Sequence, residues 1–168
     1  LQLVDYNNLD VLEDTFKSNP NIASFMVEPI QGEAGVIVPG CNYLFGVSNL
    51  CKKYNILLIA DEVQSGLGRS GKLLACDYDA VKPDILILGK SLSDGFYPIS
   101  GVLANYKVMN TLKPGQHGST YGGNPLANKI CMEAVKILFD ENLIERSYEM
   151  GKYFRKILFH SKLKGVKE

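Results

Sequence analysis

Two short apolar runs constrain the fold of this chain more than any other feature. Residues 56–60 (ILLIA) and 85–88 (ILIL) are apolar at every position, so neither run alternates between a buried and a solvated face. Runs of this kind are typical of parallel strands that helices cover on both sides. Segments with helical spacing lie around them. The pattern therefore predicts an α/β fold with a mostly parallel sheet and helices on both faces.

The remaining elements follow from spacing, caps and breakers. Further strands are predicted at 23–27 and 99–104, and residues 1–4 (LQLV) also resemble a strand. A loop is predicted over 113–124. Four helices are predicted to begin near residues that favour a helix start, namely Asn8, Asn42, Pro125 and Asn142.

Charge and cysteine content exclude several classes of function. The 168 residues carry 18 basic and 18 acidic side chains, so the chain lacks the excess of positive charge that binding to a nucleic-acid backbone requires. No apolar run approaches the roughly 20 residues of a membrane helix. Four scattered cysteines and two distant histidines form no metal-binding pattern. We expect no nucleic-acid, membrane or metal partner, and reduced, mostly buried thiols in a cytoplasmic protein.

A glycine-rich segment at 66–73 (GLGRSGKL) matches two phosphate-binding patterns incompletely. The dinucleotide pattern must open a helix directly after a strand, but four residues, Glu62 to Ser65, separate it from the strand that ends in Asp61. The nucleotide-triphosphate pattern needs Ser or Thr after Lys72, and the residue there is Leu73. We therefore interpret the segment as a surface loop with Arg69 and Lys72 in solvent.

Asp61 and Lys90 each follow an apolar run and lie 29 residues apart, which is one strand–crossover–strand unit. Ligands of such sheets bind at the carboxyl ends of the strands. A carboxylate and an amine in one cleft suit pyridoxal phosphate, which has a cationic ring nitrogen and an aldehyde. A plain ion pair, or two solvated strand ends, is the alternative that spacing leaves open.

Four segments occur in a characteristic order: 27–35 (VEPIQGEAG), 58–66 (LIADEVQSG), 88–93 (LGKSLS) and 117–126 (HGSTYGGNPL). Together they resemble the class III pyridoxal-phosphate aminotransferases over nearly the whole chain. The resemblance implies that residues 1–168 form the central part of the large, cofactor-binding domain of a fold type I transferase. It places an N-terminal segment and a C-terminal small domain outside this chain.

The resemblance also implies roles for individual residues. Lys90 would bind the cofactor aldehyde covalently, and Asp61 would pair with the ring nitrogen. Val63 would pack on the ring, although a simple core position is an equal alternative. Gln64 would hydrogen-bond near the phenolic oxygen, and Glu33 would contact the substrate. Glu28 would have a supporting role. The hydroxyls of Ser119 and Thr120 would bind the cofactor phosphate of a neighbouring subunit.

The activity implied by the resemblance is transfer of the δ-amino group of ornithine to 2-oxoglutarate by a homodimer with composite active sites. Acetylornithine or 4-aminobutyrate as the amino donor is the alternative within the family. A non-catalytic module that keeps the fold is the alternative outside it. The family occurs in the cytosol and in mitochondria, so the mitochondrial matrix is the alternative to the cytoplasm.

Overall fold

A four-stranded sheet organises the computed structural model, which describes residues 1–161. The strands are β1 (Ser24–Val27), β2 (Leu57–Asp61), β3 (Ile85–Leu88) and β4 (Gly101–Ala104). They lie in the order β1-β2-β3-β4, with β1, β2 and β3 parallel and β4 antiparallel to β3. The predicted mostly parallel α/β sheet is confirmed, with one antiparallel edge strand.

Residues 1–161 contain five helices, and the four predicted starts are confirmed to within a residue, whereas the short helix at Tyr106–Met109 was not predicted. Asn8 and Asn124 cap their helices by accepting backbone N–H groups from Val11 at 3.1 Å and Ala127 at 2.9 Å. The start of the second helix is held differently, because the Asp79 carboxylate accepts the N–H groups of Leu44 and Phe45. The helices are α1 (Leu9–Ser18), α2 (Tyr43–Lys53), α3 (Tyr106–Met109), α4 (Pro125–Asp140) and α5 (Leu143–Ser161).

The core lies between the first two helices and the first two strands. Leu12 and Phe16 of α1 and Val47 of α2 are buried against Leu58 and Ala60 of β2. Each fully buried aliphatic side chain of this kind contributes roughly 1.5–3 kcal/mol relative to an exposed one. The core thus fixes β2, and with it the position of the residues that follow β2.

Strand register brings the carboxyl ends of the parallel strands to one edge of the sheet. Val27 pairs with Ala60, and Asp61 pairs with Ile87. Glu28, Glu62 and Gly89 therefore follow their strands at neighbouring positions. Two 3₁₀ turns complete this edge, at Ala75–Asp79 and Lys90–Ser93.

Three details differ from the sequence-based expectations. Residues 1–4 form no strand. In β2, Leu58 and Ala60 are buried, whereas Leu57 and Ile59 are only half-buried, so one face of the strand is covered more fully than the other. Of the four cysteines only Cys51 and Cys76 are buried, and Cys41 is exposed.

Burial also sets the acidity of the core thiols. It raises the pKa of Cys51 to about 12, with the Asp84 carboxylate adding to the effect. The pKa of Cys76 is raised further, by burial first and then by the Glu62 carboxylate. Both thiols are protonated at neutral pH and are therefore poor nucleophiles.

Within residues 1–161, no helix combines the length and the apolar character that crossing a membrane requires. The same residues contain no group of three or more His, Cys, Asp or Glu side chains that could hold a metal ion.

Candidate active site

Asp61 is the last residue of β2 and is half-buried. Its Oδ1 accepts the backbone N–H of Val63 at 3.1 Å, which starts a tight turn directly after the strand. Oδ2 accepts no hydrogen bond from the described residues, so one carboxylate oxygen is free for a cationic partner. Asp61 forms no ion pair with Lys90, and among the described residues the two predicted catalytic groups do not touch.

Glu62 follows Asp61 and is almost completely buried, with 1% of its surface exposed. Its carboxylate accepts three hydrogen bonds, from the hydroxyl of Ser65 and the backbone N–H groups of Ala75 and Cys76, at 2.6, 3.0 and 2.8 Å. A buried carboxylate is tolerated only when its oxygens are satisfied in this way. Glu62 therefore ties the end of β2 to the 3₁₀ turn Ala75–Asp79.

Lys90 begins the 3₁₀ turn after β3 with a left-handed backbone conformation, φ 43°. Only a few per cent of residues other than glycine have positive φ, and such residues cluster at functional sites. The preceding Gly89 lies against Val63, because a Cβ on Gly89 would be 3.3 Å from Val63 Cγ1. This close approach brings the segment after β2 next to the lysine.

The segment after β1 forms a compact loop that carries Glu33. Glu28 Oε2 accepts the N–H of Gly32 at 3.1 Å, and Gln31 and Ile37 exchange backbone hydrogen bonds at 3.1 and 2.8 Å. Glu28 thus stabilises the loop, and its supporting role in the site stays a prediction. Gly32 leaves room for Gln64, whose side-chain Cδ would be only 2.7 Å from a Cβ at that position.

Three predicted site residues meet through these loops. Gln64 Nε2 donates to Glu33 Oε1 at 2.7 Å, and Lys90 Nζ lies 3.6 Å from the same oxygen. Glu33 and Lys90 are largely exposed, so water screens their attraction and the pair adds little to stability. Its importance is that it places a carboxylate beside the amine.

Lys90 lines two neighbouring cavities, with volumes of about 560 and 600 Å³. The first has Val63 and Gln64 in its wall and extends to Tyr148 and Arg155 of α5. The second is formed by the turn after Lys90, including Tyr97 and Ser100. Both volumes are in the range of small-molecule sites. Asp61 lines neither cavity.

The two predicted phosphate-binding hydroxyls are outside this cluster. Ser119 and Thr120 are exposed and line neither cavity. Ser119 Oγ accepts the N–H of Gly122 at 3.1 Å, which stabilises the local turn. Within the part of the chain that the structure describes, these residues do not contribute to the site around Lys90.

Comparison with known proteins defines the family. Residues 4–167 match the family described as Aminotransferase class-III. The chain belongs to the class III aminotransferases. It is 64% identical over 148 residues to a Caenorhabditis elegans protein named probable ornithine aminotransferase, mitochondrial; the match covers 88% of this chain and 35% of that protein. This class III aminotransferase chain therefore spans about a third of the length of that relative.

Solved structures of other class III aminotransferases superpose closely. The ornithine aminotransferase from Toxoplasma gondii, described with partial occupancy of PLP at its active site, matches with a TM-score of 0.96 and 51% identity. The match covers 99% of this chain and 40% of the other. An acetylornithine aminotransferase from Elizabethkingia anophelis matches with a TM-score of 0.91 and 54% identity, covering 94% of this chain and 39% of the other.

Three features of this class III aminotransferase site were not predicted from the sequence. Glu62 received no role, because a glutamate after a buried strand is usually solvated. The packing of Gly68 and Gly71 against α4 and α5 was not foreseen, although Arg69 and Lys72 are not buried, as predicted. The third feature is the contribution of Tyr148 and Arg155 of α5 to the wall of the first cavity. The glycine spacing in 66–71 was the available signal for close packing.

Proposed function

We propose that the complete protein transfers the δ-amino group of ornithine to 2-oxoglutarate, giving glutamate 5-semialdehyde and glutamate, with pyridoxal phosphate as cofactor. The observation that carries the proposal is the Lys90 amine in the wall of a cavity, with Glu33 at 3.6 Å, in a chain 64% identical over 148 residues to a protein named probable ornithine aminotransferase. The residues present suit the cofactor: an accessible amine can bind its aldehyde, and Asp61 has a free oxygen for its ring nitrogen.

When bound, the cofactor supplies an electron sink for the bond that the substrate carbon loses. The Asp61 carboxylate would keep the ring nitrogen protonated, an interaction worth about 4 kcal/mol at an effective dielectric of 20. Once the substrate amine has displaced it, the Lys90 amine would take the proton from the reacting carbon of the substrate. It would then return this proton to C4′, the aldehyde carbon of the cofactor.

The neighbouring side chains would orient the reactants. Val63 would pack on one face of the cofactor ring. Gln64 uses one N–H on Glu33 and has a second N–H for the phenolic oxygen. Glu33 would select which end of the substrate reaches the lysine, since its carboxylate lies beside the amine.

Ser119 and Thr120 would bind the cofactor phosphate of a partner subunit, which makes the enzyme a homodimer with composite sites. Their exposure and their position outside the cavities around Lys90 support this assignment. Residues 1–168 would be part of the large domain, with the N-terminal segment and the small domain supplied by the rest of the protein. We place the protein in the cytoplasm, and localisation of the tagged full-length protein tests this against the mitochondrial matrix.

A second candidate is an acetylornithine aminotransferase, favoured by the structural match with 54% identity. The complete protein should be assayed with ornithine, acetylornithine and 4-aminobutyrate as donors to 2-oxoglutarate. We expect ornithine to give the highest kcat/KM. A higher kcat/KM with another donor would show that the proposed substrate is wrong. If the protein shows neither a visible cofactor band nor turnover, it is a non-catalytic module.

A further inference from the structure

Glu62 stands out among the charged residues near the site because it is buried and yet does not line either cavity. All of its partners are internal: Ser65 lies in its own turn, and Ala75 and Cys76 begin the following 3₁₀ turn. A carboxylate in this setting does no chemistry on a ligand. It can, however, fix the backbone that carries the residues on either side of it.

The turn after Glu62 is packed tightly. The Gly66 N–H donates to Glu62 O at 3.0 Å, and a Cβ on Gly66 would lie 2.8 Å from that oxygen. Val63 contacts Gly89, the neighbour of Lys90, and Gln64 contacts Gly32. A shift of the 61–66 backbone would therefore move Val63 and Gln64 against their neighbours.

Asp61 is held more weakly than Glu62. Glu62 is almost completely buried and its carboxylate accepts three hydrogen bonds, whereas Asp61 is only half-buried. The described residues give Asp61 one hydrogen bond, from the Val63 N–H of the same turn. The direction of the Asp61 carboxylate thus depends on the conformation of the 61–66 turn.

We propose that Glu62 is a positioning residue, which aligns Asp61, Val63 and Gln64 with the cofactor by anchoring their turn to the Ala75–Asp79 turn. This inference rests on the proposed function. Loss of the anchor lets the turn rotate, and a displacement of about 1 Å at catalytic groups can cost a hundredfold in rate.

The test compares Glu62→Gln with Asp79→Asn in the complete holoenzyme. Glutamine keeps the shape of the side chain, but its NH₂ group replaces one of the two acceptor oxygens. A hydrogen-bond donor then faces the backbone N–H of Ala75 or Cys76, and that hydrogen bond is lost. Asp79 is a matched control because its carboxylate also accepts two backbone N–H groups, lies in the same 3₁₀ turn and contacts α2 instead of the site. The measurements are thermal unfolding, visible circular dichroism of the bound cofactor, the cofactor Kd, and kcat and KM per cofactor-loaded site.

We expect both variants to lower Tm and only Glu62→Gln to change the visible dichroism. Glu62→Gln should also weaken cofactor binding and lower kcat per loaded site by about tenfold to a hundredfold, with KM for ornithine nearly unchanged. Unchanged dichroism and unchanged kcat per loaded site would reduce Glu62 to a stabilising residue and overturn the proposal.

If Glu62→Gln does not fold, Ser65→Ala decides the question, because it removes one of the three hydrogen bonds to the carboxylate. It should produce the same changes at a smaller size, and unchanged dichroism would overturn the proposal. The dichroism and the cofactor Kd do not depend on the amino donor. If the wild-type enzyme binds the cofactor but does not transaminate ornithine, the proposed substrate is wrong, and the comparison of the Glu62 variants remains valid.

Discussion

At the scale of single residues, some polar side chains of the site form hydrogen bonds inside the protein, and others remain accessible to a ligand. No hydrogen bond from residues 1–161 reaches one carboxylate oxygen of Asp61, whereas the next residue, Glu62, accepts hydrogen bonds from internal donors with both of its oxygens. Lys90 lies beside two cavities and keeps an accessible amine. Substitutions at Lys90 and Asp61 should therefore have different consequences.

Replacing Lys90 by alanine should abolish covalent attachment of the cofactor, because the side-chain amine that would bind the aldehyde is lost. Borohydride reduction followed by peptide mapping of the complete enzyme should find labelled Lys90 in the wild type and no label at the site in Lys90→Ala. A reducible adduct at another active-site lysine of the variant would remove Lys90 from its proposed role.

Asp61→Asn should retain the cofactor but slow the reaction. An asparagine side chain carries no charge to hold the ring nitrogen protonated, and loss of about 3 kcal/mol of this interaction corresponds to a rate decrease of roughly a hundredfold. Single-turnover kinetics with ornithine measure the step directly. A rate within about threefold of the wild type would contradict the pairing of Asp61 with the ring.

At the scale of elements, the glycine-rich segment 66–73 is a packing surface for the last two helices. Gly68 lies against Leu138 and Ile144, and a Cβ on Gly71 would be 3.0 Å from Tyr148 Cα. Gly71 also has φ 90°, a conformation that other residues seldom adopt. The segment thus holds α5 close to the first cavity.

Gly71→Ala should destabilise the complete protein by about 2–4 kcal/mol, through strained φ and through overlap with α5. Gly95→Ala is the control, since Gly95 has φ 81° but a Cβ at that position would have no other atom within 4 Å. Urea unfolding measures the loss of unfolding free energy in each variant, and the difference between the two losses is the contribution of the contact with α5. Equal losses would show that α5 does not pack on Gly71.

The contact between α1 and α2 should depend on pH through Glu13. Hydrogen bonds from Lys53 and Tyr54 lower the pKa of Glu13 from 4.5 to about 2. The carboxylate therefore stabilises the folded state fully above about pH 4.5, and this contribution disappears as the pH falls towards 2. The difference in urea midpoint between wild type and Glu13→Gln should shrink over that interval, and a constant difference would contradict the assignment.

The elements could be predicted where one physical signal dominated. Apolar runs indicated β2 and β3, and caps such as Asn124 with Pro125 indicated the helix starts. The strand predicted at residues 1–4 was wrong because so short a segment forms a strand only beside a partner, and no other segment of residues 1–161 pairs with it. Lys90, Glu33 and Gln64 were predicted through the family resemblance and do meet. The role of Glu62 depends on donors 13 and 14 residues away, which local patterns do not reveal.

At the scale of the whole molecule, this chain has one part of the proposed active site. Residues 1–168 alone should bind pyridoxal phosphate weakly and show no transamination, because Ser119 and Thr120 do not reach the cavities beside Lys90 and the chain spans about a third of the length of its Caenorhabditis elegans relative. Equilibrium dialysis and an ornithine assay test this. Turnover by the purified 168-residue chain would contradict it.

Mixed dimers of the complete enzyme test the composite site. Thr120→Val should weaken cofactor binding roughly tenfold to a hundredfold, since a hydroxyl bonded to a charged phosphate contributes about 1.5–3 kcal/mol. If Thr120 serves the partner subunit, pairing Lys90→Ala with Thr120→Val puts both defects in one site and leaves the other normal. Recovery of activity with a normally binding cofactor population is the expected result, and its absence would show that Thr120 serves its own subunit.

The order of the strands has a consequence for how the protein is made. Because β1, β2, β3 and β4 are neighbours in the same order in the sheet and along the chain, each strand that leaves the ribosome finds its partner already synthesised. The sheet can therefore grow one strand at a time during translation. The turn with Lys90 joins β3 to β4, so both of its ends are held by the sheet only after β4 has paired with β3.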